Sequence, residues 1–196
     1  FAPWWRVLKG FLKFEKKSFH LAGWCFLADT VTVLFYLFFL EIGKNWWPLP
    51  LGFLVTGLLL YSLKHIKKNK KQNLSFSSGA ALGVVQGLAL LPGISRFGST
   101  FVAARWLGFS RSQAFEYSFM IQFPLLIAAI IKGFCFVDTQ FLYTTLLTGP
   151  VLLTFAISGT ISYYLFVKVN QIVECGRMWL FCLYLIPLSF IVFLFL

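Results

Sequence analysis

The sequence predicts an all-α, polytopic membrane protein with about five transmembrane helices and one re-entrant helical hairpin, in a single integral membrane domain covering residues 1–196. Three observations predict it. The chain is 59% hydrophobic, 20% aromatic and only 12% charged, far too apolar for a water-soluble domain of 196 residues. Apolar runs of close to twenty residues recur, the length that crosses a hydrocarbon core about 30 Å thick. Period-2 alternation is absent throughout, which argues against a membrane β-barrel.

The first twenty residues, "FAPWWRVLKGFLKFEKKSFH", combine aromatic and basic residues without the charged start, apolar middle and small-residue cleavage site of a signal peptide. Since the chain opens on Phe1, the expectation is an N-terminal truncation, with a segment lost upstream. The first span is "WCFLADTVTVLFYLFFL" (24–40) and the second "PLPLGFLVTGLLLYSL" (48–63). Two more run over about 112–131 and about 141–167, and "MWLFCLYLIPLSFIVFLFL" (178–196) closes the chain.

Residues 79–107 differ. From Gly79 to Pro92 there are 14 residues, which as helix reach about 21 Å, two thirds of the way across. The segment is therefore predicted to enter, break at Pro92–Gly93 and return over about 98–107, with neighbouring protein or a water-filled cavity satisfying the freed backbone groups. Gly79, Gly83 and Gly87 fall every fourth residue and form a smooth face for close helix approach. Positive charge supports this layout. With a cytoplasmic N-terminus and a re-entrant 79–107, the basic residues of the N-terminal segment and of the 64–71 loop, with Arg105, Arg111, Lys168 and Arg177, all lie inside; Lys44 and Lys132 lie outside. A full crossing by 79–107 would put Lys168 and Arg177 on the wrong side.

The net charge of +11 comes from Lys and Arg set between apolar runs, which suits anchors facing anionic lipid and lacks the continuous basic face of a nucleic-acid binder. Cys25, Cys135, Cys175 and Cys182 stand singly, without the spacing of a metal site or a disulfide framework.

One cation remains, Arg96, at the hairpin tip in "GVVQGLALLPGISRFGST" (83–100). A guanidinium near the middle of a bilayer costs at least about 2.5 kcal/mol, so it requires a partner or a task. As a structural ion pair its candidate partners are Asp29 and Glu116, the acids within or beside spans. As a ligand site it is surrounded by the hydroxyls of Ser95, Ser99 and Thr100, by Gly93 and Gly98, which let backbone N–H groups approach closely, and by the N-terminus of the returning helix. Such a set suits phosphate, and the depth suits a phosphate carried on a lipid. No Gly-Lys-Ser/Thr follows, so a nucleotide loop is unsupported.

"QGLALLPGISRFGST", followed by "LGFSRSQAFEYSF", resembles the second motif, PGxSRSxxT, of the bacterial undecaprenyl-diphosphate phosphatase family, also known for bacitracin resistance. The likeness extends to the tryptophan-rich start, the basic loop before the motif, the A-x-E-x-S-F helix after it and the apolar C-terminal span. The resemblance implies hydrolysis of undecaprenyl diphosphate to the monophosphate carrier of cell-wall synthesis, in the bacterial cytoplasmic (inner) membrane. It also implies two inverted repeats, each with a re-entrant hairpin, of which this chain holds one and a half. Carried over by position, Ser95, Arg96 and Thr100 bind the diphosphate, with Arg96 stabilising charge as the bond breaks, and Gly93, Gly98 and Ser99 complete the tip. Gln86 faces the same cavity or serves packing, and Glu116 is placed to orient Arg96. A divalent cation, Mg²⁺ or Ca²⁺, is implied by the family alone.

Two departures stand out. Phe97 occupies the position of a motif serine, and the family's first motif, with its glutamates, serine and histidine, has no counterpart after Phe1. His20 and His65 sit in basic interfacial stretches and read as headgroup-facing. A phosphatase needs an activated nucleophile as well as a clamp, so residues 1–196 are expected to be inactive alone. The alternatives are a polyprenyl-phosphate flippase or transporter, built on the same re-entrant elements, and a non-catalytic lipid-phosphate-binding subunit. The sequence is compatible with a homo-oligomer.

Overall fold

The fold is that of a computed structural model that describes residues 16–42, 47–66, 75–136 and 148–195. Its elements are α1 (Lys16–Ile42), α2 (Leu49–Ser62), α3 (Phe76–Leu88), α4 (Arg96–Trp106), α5 (Arg111–Phe136), α6 (Gly149–Glu174) and α7 (Cys182–Phe195). Short 3-10 turns, Leu63–His65 and Met178–Phe181, follow α2 and precede α7. No strand occurs among the described residues.

Among the described residues three stretches are long and apolar enough to cross a membrane: Arg111–Phe136, Gly149–Glu174 and Met178–Phe195. Gly23–Phe39 and Leu49–His65 are shorter apolar stretches at the first two predicted spans. The fourth span was expected from about Phe141 to Val167; that start lies outside the described residues, and the helix runs seven residues further, to Glu174. The extra turns have a packing cause, because Val173 is fully buried while Leu152, Leu153, Ile157 and Ile161 stay exposed. The basic residues predicted inside before Lys16 and over 67–71, and Lys44 outside, also lie outside the described residues.

The hairpin consists of α3 and α4, which pack on each other. Its limbs differ in register from the sequence expectation, and the serines explain why. The first limb begins at Phe76, not Gly79, because Ser75 and Ser78 cap it reciprocally: Ser75 N–H donates to Ser78 Oγ (2.8 Å) and Ser78 N–H to Ser75 Oγ (3.4 Å). It ends at Leu88, and a turn through Gly93 leads to Ser95, the N-cap of α4, whose Oγ accepts from Gly98 N–H at 3.1 Å. The return limb thus starts at Arg96, two residues before the predicted Gly98. At 13 and 11 residues the limbs are about 20 and 17 Å long, so neither spans the bilayer alone.

Glycine permits close packing of α1 on α3. α1 lies on the Gly79–Gly83–Gly87 face of α3; a Cβ at Gly83 would come within 2.8 Å of the Ala28 backbone, and one at Gly87 within 2.6 Å of the Phe35 ring. Thr32 closes the pair, its hydroxyl lying 2.9 Å from the Ala28 carbonyl and 3.3 Å from that of Gly83. On the other side, α2 carries the hairpin tip and pairs with α7, where Ser189 donates to the Pro50 carbonyl at 2.8 Å. Helix α4 sits at the centre against α2, α3 and α5, with Phe101, Val102 and Ala104 buried. Helix α6 leans on α5 through Phe166, 5.5 Å from Phe115 and 5.2 Å from Phe119 between ring centres.

Candidate functional site

The tip is shaped by one left-handed residue and one hydroxyl. Gly93 has φ +82°, and a Cβ there would strike the Leu49 carbonyl, so the turn is open only to glycine. A Cβ on Gly52 of α2 would strike the Pro92 carbonyl, which shows how tightly the turn is seated. Thr56, also on α2, accepts from Ser95 N–H at 3.0 Å and lies 3.3 Å from the Gly93 carbonyl. The start of α4 is therefore fixed from outside its own sequence, and its dipole is aimed at the tip.

The predicted site residues separate into three groups. Arg96 is exposed and lines a cavity of about 250 Å³ with Phe119, Gln122, Phe123, Leu125, Leu126 and Ala129 of α5. Ser95, Gly93 and Gly98 line a second cavity, of about 460 Å³, bounded also by Thr56, Phe53 and Tyr184. Ser99 and Thr100 are buried, and their hydroxyls turn back onto the helix. Ser99 Oγ donates to the Ser95 carbonyl, and Thr100 Oγ lies 2.8 Å from that of Arg96. The structure places these two as braces of the first turn of α4, with Arg96 and Ser95 opening on either side of it.

Gln86 and Glu116 line neither cavity. Gln86 is fully buried; its Nε2 donates toward Asp29 Oδ1 and the Ile121 carbonyl, each at 3.4 Å, so it joins α3 to α1 and α5. Asp29, a sequence candidate for pairing with Arg96, is thereby placed on Gln86. Glu116 is half-buried near the start of α5. Phe97 lines the larger cavity, while its ring packs on Phe101 (6.1 Å) and edge-on against Phe115 (5.5 Å), so this departure from the motif serves the α4–α5 core.

Sequence reasoning missed Gln122 and Thr56. Gln122 carried a signal, since a lone amide within "FMIQFPLLIAA" is costly in a span. Thr56 carried none, because its bond to Ser95 joins residues 39 apart. Among the described residues no group of three or more His, Cys, Asp or Glu could hold a metal ion.

Chemically, the smaller cavity offers donors at one end and an apolar wall along α5. An anion with an oily tail matches both.

A comparison with known proteins adds a family. The model for "Bacitracin resistance protein BacA" matches residues 1–191. The chain is similar to the undecaprenyl-diphosphatase of Treponema denticola, 36% identical over 149 residues, which is 72% of this chain and 52% of that protein. It is 32% identical over 176 residues to that of Borrelia hermsii, covering 86% and 65% of the two chains. Over 80 residues it is 41% identical to that of Desulfatibacillum aliphaticivorans, covering 40% and 29%. The matched part thus spans between 29% and 65% of these relatives' lengths. A match that runs from residue 1 to residue 191, with the hairpin tip inside it, makes the chain a member of the BacA family of bacitracin resistance proteins.

Proposed function

We propose that this chain grips the diphosphate of undecaprenyl diphosphate in the cytoplasmic membrane of a bacterium, for removal of the terminal phosphate and return of the monophosphate carrier to cell-wall synthesis. One observation carries the reading: Arg96, at the bend of a hairpin whose limbs are each too short to cross, opens on a cavity whose other wall, on α5, is apolar except for Gln122. The name undecaprenyl-diphosphatase, borne by the relatives, supports the substrate.

In such a hydrolysis, water adds to the terminal phosphorus while the bond from that phosphorus to the bridging oxygen breaks. The electron pair stays on the bridging oxygen, now a terminal oxygen of the lipid monophosphate; inorganic phosphate leaves and a proton is released. Negative charge grows on the departing oxygen, and a guanidinium fork held at the N-terminus of α4 stabilises it. Ser95 holds that terminus by capping it, and Thr100 braces Arg96 through its backbone carbonyl. Activation of the water is not assigned to the tip, whose Ser99 and Thr100 hydroxyls already point back at carbonyls. Charge stabilisation is assigned to Arg96, which opens on the cavity; among the described residues no group of three or more His, Cys, Asp or Glu is placed to hold the divalent cation that the resemblance implied.

A photoreactive undecaprenyl diphosphate analogue, with its reactive group near the headgroup, tests this in lipid nanodiscs. Adducts are expected at the start of α4 and on the 119–129 face of α5, and excess undecaprenyl diphosphate should suppress them. Adducts confined to the exposed face of α6 would contradict the reading. Movement of labelled lipid between leaflets, with its diphosphate intact, would point to transport.

A further inference from the structure

We infer that Gln122 is a second headgroup-binding residue, its side-chain amide donating to a phosphate oxygen held by Arg96; this rests on the proposed diphosphate reading and deepens it. Gln122 lies 11 residues into α5, about 17 Å along the helix axis and so about halfway through the hydrocarbon core. Its Nε2 is buried and has no hydrogen-bond partner among the described residues. An amide desolvated in this way is destabilising by several kcal/mol in a bilayer, and such groups persist where something pairs with them.

The surroundings identify what is missing. Phe119, Phe123, Leu125, Leu126 and Ala129 offer no polar side-chain atom, and among the described residues the one other polar side chain lining the cavity is Arg96. A guanidinium has donors and no acceptor, so it cannot satisfy an N–H. Of the two polar groups that line this space, one is a permanent cation with donors alone, and the other is an amide that can accept through Oε1 but whose Nε2 donor is left without a partner among the described residues. The matching ligand is an anion rich in acceptors, which is what a phosphate presents.

The geometry also sets the direction of the ligand. Positions 119, 122, 126 and 129 recur at three- and four-residue steps and so share one face of α5. Beyond Gln122 that face is apolar for at least a further seven residues, about 10 Å of helix. A phosphate seated between Arg96 and Gln122 would lay the first part of its tail on Phe123, Leu126 and Ala129. The shared chemistry is a phosphate anion, and a tailless anion should bind the same donors without that wall.

The test is equilibrium binding of undecaprenyl diphosphate, and separately of inorganic pyrophosphate, to the protein in nanodiscs. Gln122→Met keeps the length of the side chain and removes both amide groups; Gln122→Glu keeps the shape and an acceptor and removes the donor. For the lipid, Gln122→Met should weaken binding about tenfold, as befits a lost hydrogen bond to a charged group, and Gln122→Glu should weaken it more, through repulsion of like charges. Pyrophosphate should bind more weakly than the lipid and show the same loss in both variants. A pyrophosphate loss without a lipid loss would mean that Gln122 meets free anions and not the headgroup, and would overturn the inference. So would both variants binding the lipid within twofold of the parent while Arg96→Ala loses it, an outcome that leaves the diphosphate reading standing. If Arg96→Ala also binds normally, the diphosphate reading itself fails. Should Gln122→Met not insert, Gln122→Leu, which also removes both amide groups, takes its place, and lipid binding within twofold of the parent there overturns the inference.

Discussion

Arg96 and Gln122 stand 26 residues apart on different helices, and only the packing of α4 on α5 brings them to one cavity. The cation could be read from the sequence because a charge inside an apolar stretch is conspicuous. The amide could not be joined to it, since periodicity says which face a residue occupies but not which helix it meets. Gly83 shows the opposite case. Its place in a four-residue glycine repeat foretold close approach, and α1 does lie against it. Gly83→Ala puts a Cβ 2.8 Å from the Ala28 backbone, so the helices must part; a loss of about 1–3 kcal/mol is expected. Gly133→Ala meets nothing within 4 Å and should be neutral or slightly stabilising. Unfolding of the two variants in mixed micelles, followed by far-UV circular dichroism, checks the contrast; equal stability would mean that α1 does not pack on this face.

At the scale of elements, the Pro-Gly break foretold a helix, a turn and a returning helix, and α3 and α4 are that pair with ends shifted by a few residues; re-entry from one side is the proposal that the charge pattern supports. The shift has one cause, serine capping. Ser75 and Ser78 start α3 by capping it reciprocally, and Ser95, a ligand candidate in the sequence, also caps α4, its Oγ accepting from Gly98 N–H. Hairpin geometry makes a topological prediction. Ser77 and Ser112, both exposed, stand just inside the first turns of the helices that open and follow the hairpin. Introduced singly as Ser77→Cys and Ser112→Cys, with the exposed Cys135 and Cys175 replaced by Ser, both should react with a membrane-impermeant maleimide from the same side. That side should be the cytoplasmic one, since Arg105 and Arg111 lie at the same end. Labelling from opposite sides would make residues 76–106 a full crossing and remove the tip from the middle of the bilayer.

On the scale of the whole molecule, apolar composition specified the solvent and the helical class, and three long apolar helices carry that through. Composition could not specify how the site is divided. The residues of the PGxSRSxxT pattern surround one bend, yet they face two cavities and the core beneath them, because adjacent positions at a helix start point in different directions. The central claim is that Arg96 holds the diphosphate of a membrane lipid. The most direct measurement is the affinity of nanodisc-embedded protein for undecaprenyl diphosphate in the parent, Arg96→Ala and Arg96→Lys forms. The account predicts a loss of about 10- to 100-fold for Ala, with normal insertion, and only partial recovery for Lys, whose point charge lacks the planar fork. Equal affinity in all three forms would contradict it and make Arg96 a structural cation.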